Sequence, residues 1–185
     1  MSNKFIITGF PRSRTAWLSA LFCSENVICL HEPINNFISL DLMKMYVDEL
    51  NYEYVGISDS SIALNHFFYI SYFSQYPVVI VNRDKKEVAD SLLKITGLPR
   101  TKIERILNMI EFGLNEIRAN CNVLDVDYND LDEISLLKLI AGFCTPNVPL
   151  DEEQCKVFRN FYITQHTSKL LAGMQIQDEI FKNIN

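Results

Sequence analysis

"FIITGFPRSRTAWL", residues 5–18, holds the transition on which the reading of this chain turns. The β-type run Phe5 to Thr8 gives way to Gly9, Phe10 and Pro11, then to Arg12-Ser13-Arg14-Thr15, before an apolar pattern resumes at Trp17 and Leu18. A strand over 5–8 and a helix from Thr15 make 9–14 a strand-to-helix loop. Amides at a helix entrance lack intrahelical acceptors and favour anions. Gly9 permits the turn and Pro11 stiffens it, Arg12 and Arg14 add fixed positive charge, and Ser13 and Thr15 supply hydroxyls. The combination describes a cradle for phosphate or sulfate.

Working outward, short β-type runs recur at 27–30, 54–57, 78–81 and 123–126, and between them lie segments with helical spacing. One such pattern takes in Ile34, Phe37, Ile38, Leu42 and Met45, and another runs Ile103, Ile106, Leu107, Ile110, Leu114, Ile117. Uninterrupted apolar runs such as "PVVIV" call for burial on both faces, the habit of parallel strands covered by helices. The expectation is an α/β fold, a three-layer α/β/α sandwich around a mainly parallel sheet. After Tyr128 the pattern is helical, over about 134–143, then 151–165, then a tail to Asn185. "CTPNVP", 144–149, separates the first two, and Asp151-Glu152-Glu153 supplies an acidic first turn to the second. No internal repeat or low-complexity tract breaks the chain, and 1–185 reads as one domain.

The 185 residues are 48% hydrophobic, enough for one substantial core. A net charge of -6 argues against a general nucleic-acid binder, which needs a broad basic surface. Any site for a polyanion must be local. The five cysteines (Cys23, Cys29, Cys121, Cys144, Cys155) form no CxxC pair and mostly sit in apolar runs, as reduced thiols of an intracellular protein do. His31, His66 and His166 are too scattered to announce a zinc site, so no metal is expected. No apolar run reaches the roughly 18 residues of a membrane span, and the run at Phe5 is too short for a signal-peptide core. The expected location is the cytoplasm, with no membrane partner and no nucleic acid.

A nucleotide-hydrolysing P-loop reads GxxxxGK[ST]. Counting from Gly9 puts Arg14 at the second glycine and Thr15 at the lysine, which disfavours an ordinary ATPase or GTPase. "GFPRSRTAWL" instead resembles the 5'-phosphosulfate loop of the sulfotransferase family, P-[KR]-[ST]-G-T-[TS]-x-L, at the same strand-to-helix junction. The resemblance implies a donor site for 3'-phosphoadenosine 5'-phosphosulfate (PAPS) made by Pro11, Arg12, Ser13, Arg14, Thr15, Ala16 and Trp17. Arg12 would contact the transferring sulfuryl group, Ser13 and Thr15 the 5' phosphate, and Trp17 would lie near the adenine. Arg14 replaces the family glycine and Ala16 a hydroxyl residue. Arg14 therefore either takes a glycine-like backbone conformation or reshapes the loop.

"VVIVNRDKKEVADSLL" resembles the family's strand, loop and helix for the 3' phosphate, shared by an Arg and a Ser eight residues on, here Arg83 and Ser91. A Ser about two helical turns beyond the strand end can face the same groove. "VLDVDYNDL" is similar to the family strand ending Tyr-x-[DE]-Leu, and "LLKLIAGFCTPNVPLDEEQCKVF" to its helix, Pro-containing loop and helix. The likeness spans roughly 5–158. It lacks the C-terminal Arg-Lys-Gly loop of cytosolic members, for which "TQHTSKLLAGMQ" offers only Lys169.

Sulfuryl transfer to an alcohol or amine needs positive charge at the leaving oxygen and a base for the acceptor's proton. "CLHEPIN" sets His31 and Glu32 at the end of the second strand, on the sheet edge where the loop lies. Glu32 is the first candidate base and His31 the second. Glu32 before Pro33 equally suits a helix start, and His31 a hydrogen-bonded structural role. His66, in "NHFFYISYF", reads as packing, and Tyr128 and Asp130 as a structural corner. The expected enzyme is a PAPS-dependent sulfotransferase. Its small-molecule, glycan or peptide acceptor would enter past His31 and 58–65. The alternatives are an ATP-dependent phosphotransferase with an atypical loop, or a non-catalytic nucleotide-binding module of sulfotransferase fold.

Overall fold

The computed structural model describes residues 2–159. Five strands, β1 (Asn3–Gly9), β2 (Val27–His31), β3 (Tyr54–Ser58), β4 (Pro77–Asn82) and β5 (Asn122–Asp127), form one sheet in the order β2-β3-β1-β4-β5. Every pairing in it is parallel. Parallel neighbours need crossovers, and helices α1 (Thr15–Leu21), α2 (Leu40–Glu49), α3 (His66–Phe73), α4 (Lys85–Thr96) and α5 (Arg100–Asn120) provide them. Two more, α6 (Ile134–Cys144) and α7 (Glu152–Arg159), follow β5.

Strand periodicity divides the core into two layers. Ile6, Ile28, Val55, Val78 and Ile80 pack on one face with Met43, Val47, Tyr69, Phe73, Val88, Leu107, Ile110 and Leu114 from α2 to α5. Phe5, Ile7, Cys29, Val79 and Val81 face the other way, onto Trp17, Leu18 and Leu21 of α1 and Leu137, Ile140 and Cys155 of α6 and α7. The α/β/α sandwich expected from the apolar strands is the fold observed. The strand order reverses direction at β1, which carries the arginine loop, because the chain leaves β1 for β2 on one side and later returns to β4 on the other. Loops at such a switch diverge and leave a crevice at the strands' C-terminal edge.

The helical pattern over 34–45 resolves differently. Pro33–Asn36 form a short 3-10 turn, and α2 begins only at Leu40, with Ser39 Oγ accepting from Leu42 N–H at 3.2 Å as its cap. The buried side chains of α2 are Met43 and Val47, whereas Ile38 is 96% exposed and Leu42 and Met45 also face solvent. The Ser39 cap resets the helical phase, so apolar spacing read across it joins residues that share no face. Beyond Arg159, the expected continuation of the last helix to Gln165 and the tail bearing Lys169 lie outside the described residues.

Candidate functional site

Gly9 ends β1 against β4 so closely that a Cβ there would stand 2.4 Å from the Val81 carbonyl oxygen. That approach starts the arginine loop at the sheet surface. The backbone then turns left-handed at Arg12 (φ 68°) and Arg14 (φ 59°). Together with Glu32 (φ 45°) these are the non-glycine residues with positive φ among the described residues, and all three are candidate site residues. Left-handed backbone at such side chains costs about 1–3 kcal/mol and concentrates at functional sites. Of the two conformations open to Arg14, the glycine-like one is observed. Leu18 N–H donates to Arg14 O at 3.0 Å, so the helical ladder of α1 begins there and the amides of Thr15, Ala16 and Trp17 precede it.

Around this loop the side chains sort by direction. Arg12 is exposed at the tip. Ser13 is fully buried, and its hydroxyl has no hydrogen-bond partner among the described residues. A buried unpaired hydroxyl costs roughly 1–3 kcal/mol, so its retention calls for a partner that the chain itself does not provide. Pro11 and Ala16 are half-buried. Thr15 is buried with its hydroxyl 3.4 Å from His31 Nε2, and Ser58 Oγ donates to Thr15 O at 2.9 Å. Trp17, expected near an adenine, is buried. Its ring lies in the core beneath α1 and its indole N–H donates to Phe158 O at 3.0 Å, because position 17 faces the α6–α7 layer rather than the loop's open side.

Arg83 leaves the end of β4 and reaches this loop, donating from Nη1 to the Arg12 carbonyl oxygen. Its Nε contacts Glu87 at 3.4 Å. Asp84 Oδ1 caps α4 by accepting from Glu87 N–H at 2.9 Å, which directs the helix that carries half-buried Ser91 away from the same strand end. The two basic fragments, 71 residues apart in sequence, thus meet in space.

Tyr128 and Asp132 belong here too. The guanidinium carbon of Arg83 lies 4.1 Å from the Tyr128 ring centroid, and that of Arg14 lies 5.1 Å from the same ring. Arg14 also pairs with Asp132 at 2.7 Å. Burial opposes the Arg14 charge, but the Asp132 hydrogen bond and charge, with Tyr128, outweigh it and raise the arginine's pKa. Sequence reasoning assigned Tyr128 to a corner and gave Asp132 no role. The available signal was Arg14 itself, a charged residue in a glycine position that needs partners.

On the other side of β1, His31 is buried against Thr15, while half-buried Glu32 turns outward, its Oε2 accepting from Asn35 Nδ2 at 3.1 Å. Glu32 N–H donates to Ser58 O at 2.8 Å, which extends the β2–β3 ladder to the edge where the loop lies. Asp59, also buried, accepts from Ser61 N–H at 2.7 Å at the end of β3. His66 serves as packing, its Nδ1 3.0 Å from Ala63 O and its ring against Phe67 and Phe112.

No group of His, Cys, Asp or Glu suited to a metal ion occurs among the described residues, and no helix among them is long and apolar enough to cross a membrane. No family model matches the sequence, and no curated protein does. Among solved structures the chain is similar to mouse sulfotransferase SULT7A1 complexed with PAP, with a TM-score of 0.56 and 14% identity over 85% of this chain and 63% of that one. This chain thus spans less than two thirds of its neighbour's length. The likeness is one of fold: a parallel sheet between helical layers, shared with that sulfotransferase.

Proposed function

We propose that the crevice at the C-terminal edge of β1 and β4 binds PAPS and that the chain is a sulfotransferase. The observation that carries this reading is the contact between Arg83 and the Arg12 carbonyl, which puts both sequence fragments that resemble PAPS-binding segments in one place. The structural neighbour's bound PAP supports it, and so does the buried, unpartnered Ser13 hydroxyl, which an anion would satisfy. PAPS, when bound, supplies a sulfuryl group activated by a phosphate leaving group.

The chain's residues divide the work. Arg12, exposed at the tip, holds positive charge where the bridging oxygen becomes anionic, an interaction stronger in the transition state than in the ground state. Ser13 and the amides at the start of α1 hold the 5' phosphate. Arg83 and Ser91 hold the 3' phosphate, which separates this donor from AMP. Glu32 takes the proton of the acceptor hydroxyl or amine. His31, buried against Thr15, keeps the α1 entrance in register and is the second candidate for the proton. The acceptor approaches past Glu32 and the turn at 58–65.

Calorimetric titration with adenosine 3',5'-bisphosphate, AMP and ATP-magnesium tests the donor assignment. Preference for the bisphosphate is expected. Binding of ATP-magnesium alone would replace this reading with a phosphotransferase. Bisphosphate binding without sulfuryl transfer to any of a broad acceptor panel would favour a non-catalytic module.

A further inference from the structure

Arg83 has a demanding task for a residue on a long side chain, and its partners decide how it is held. It stands at a strand end on a flexible side chain, contacts Glu87 at only 3.4 Å, and bonds otherwise to a loop carbonyl. The firmest surface available to its guanidinium is the Tyr128 ring, 4.1 Å away. That ring is tied in turn to the arginine loop, because Arg14 packs over it and pairs with Asp132, four residues beyond it. The two guanidinium carbons share one ring, so the charges lie closer than about 10 Å, roughly a Debye length at 0.1 M salt. Asp132 pairs closely with Arg14, whereas Arg83 has only the longer Glu87 contact at 3.4 Å, which an incoming anion can replace.

We infer that Arg14 is a positioning residue for 3'-phosphate recognition: through Tyr128 and Asp132 it fixes the ring against which Arg83 is oriented. This rests on the PAPS reading above. Arg14 then has a purpose in its left-handed position, linking the loop for the 5' end of the donor to the arginine for the 3' end. Preorganising a flexible cation removes part of the ordering cost of binding, and cation–π contact is sensitive to the ring's face rather than its bulk.

Titration of the bisphosphate and of AMP against the unaltered chain, Arg14→Gly, Tyr128→Leu and Tyr128→Phe tests the inference. Arg14→Gly suits the backbone of position 14, and Tyr128→Leu removes the ring. Each is expected to reduce the ratio of bisphosphate to AMP affinity by about 10-fold; Tyr128→Leu should do so with AMP affinity within about 2-fold of the original, whereas Arg14→Gly, which removes a charge from the loop for the 5' end, is read by the ratio alone. Tyr128→Phe should keep the preference within about 2-fold, since the ring face remains. If the unaltered chain prefers the bisphosphate and both Arg14→Gly and Tyr128→Leu keep that preference, Arg14 positions nothing. Equal loss of affinity for both nucleotides would also overturn the inference, by placing the effect on the loop's fold. No preference in the unaltered chain would overturn the PAPS reading itself, and this inference with it.

Discussion

Arg14 shows how a single position sets competing demands. Its φ of 59° favours glycine, yet its side chain reaches Tyr128 and Asp132. Arg14→Gly and Arg14→Ala both delete those contacts and differ in backbone strain. Arg14→Gly should therefore unfold in urea at the higher midpoint, more stable than Arg14→Ala by about 1 kcal/mol. Equal midpoints would mean that the left-handed turn costs nothing. Arg12 poses a functional contrast: it is exposed at the loop tip, and the proposed reading gives its charge to the leaving oxygen. Arg12→Ala should lower the rate of sulfuryl transfer about 100-fold while bisphosphate affinity changes by less than about 3-fold. A matched fall in affinity would reassign Arg12 to ground-state binding.

Elements were legible in the sequence where one physical signal dominated. Strands β1 to β4 announced themselves because parallel strands buried on both faces leave continuous apolar runs, half-exposed β5 at the sheet edge did so only through its short apolar stretch, and α5 through the regular spacing of Ile103, Leu107, Ile110, Leu114 and Ile117, all buried. The segment at 34–45 misled because a cap at Ser39 shifts the helical phase. The arginine loop and Arg83 could each be singled out from local pattern, but their meeting depends on β4 pairing beside β1, which local pattern does not encode. The burial of Trp17 and the contact of Tyr128 with two arginines were hidden for a related reason: side-chain direction follows from packing against distant elements. Gly113 shows the same dependence. In α5 it admits the backbone of the turn at Ile62–Asn65, and a Cβ there would stand 1.8 Å from Ala63 O. Gly113→Ala must push that turn away from the helix, and a stability loss of about 1–3 kcal/mol in urea denaturation is expected despite alanine's better helix propensity. A gain would show that the turn yields without cost.

Across the whole molecule, a net charge of -6 contrasts with the local cluster of Arg12, Arg14 and Arg83. The local field, not the overall charge, is what an anionic donor meets. Acid should weaken the fold through two carboxylates that tie sheet to helix. Burial tends to raise the Asp48 pKa, but buried Lys4 and more exposed Lys44 outweigh it and hold it below the usual range. Arg118 and Asn82 do the same for Asp125 against its own burial. A depressed folded pKa stabilises above the unfolded value, near 4, and that stabilisation is lost as pH falls through the folded value. Thermal midpoints should hold from pH 7 to about 5 and drop below about 4, less steeply in Asp48→Asn. An unchanged slope in that variant would remove Asp48 from the account. The central claim, that one crevice recognises both ends of a 3'-phosphorylated nucleotide through Arg83, is tested most directly by the ratio of bisphosphate to AMP affinity in the unaltered chain and in Arg83→Ala. The ratio should be large in the first and fall at least about 10-fold in the second, with AMP affinity nearly constant; an unchanged ratio would contradict the claim.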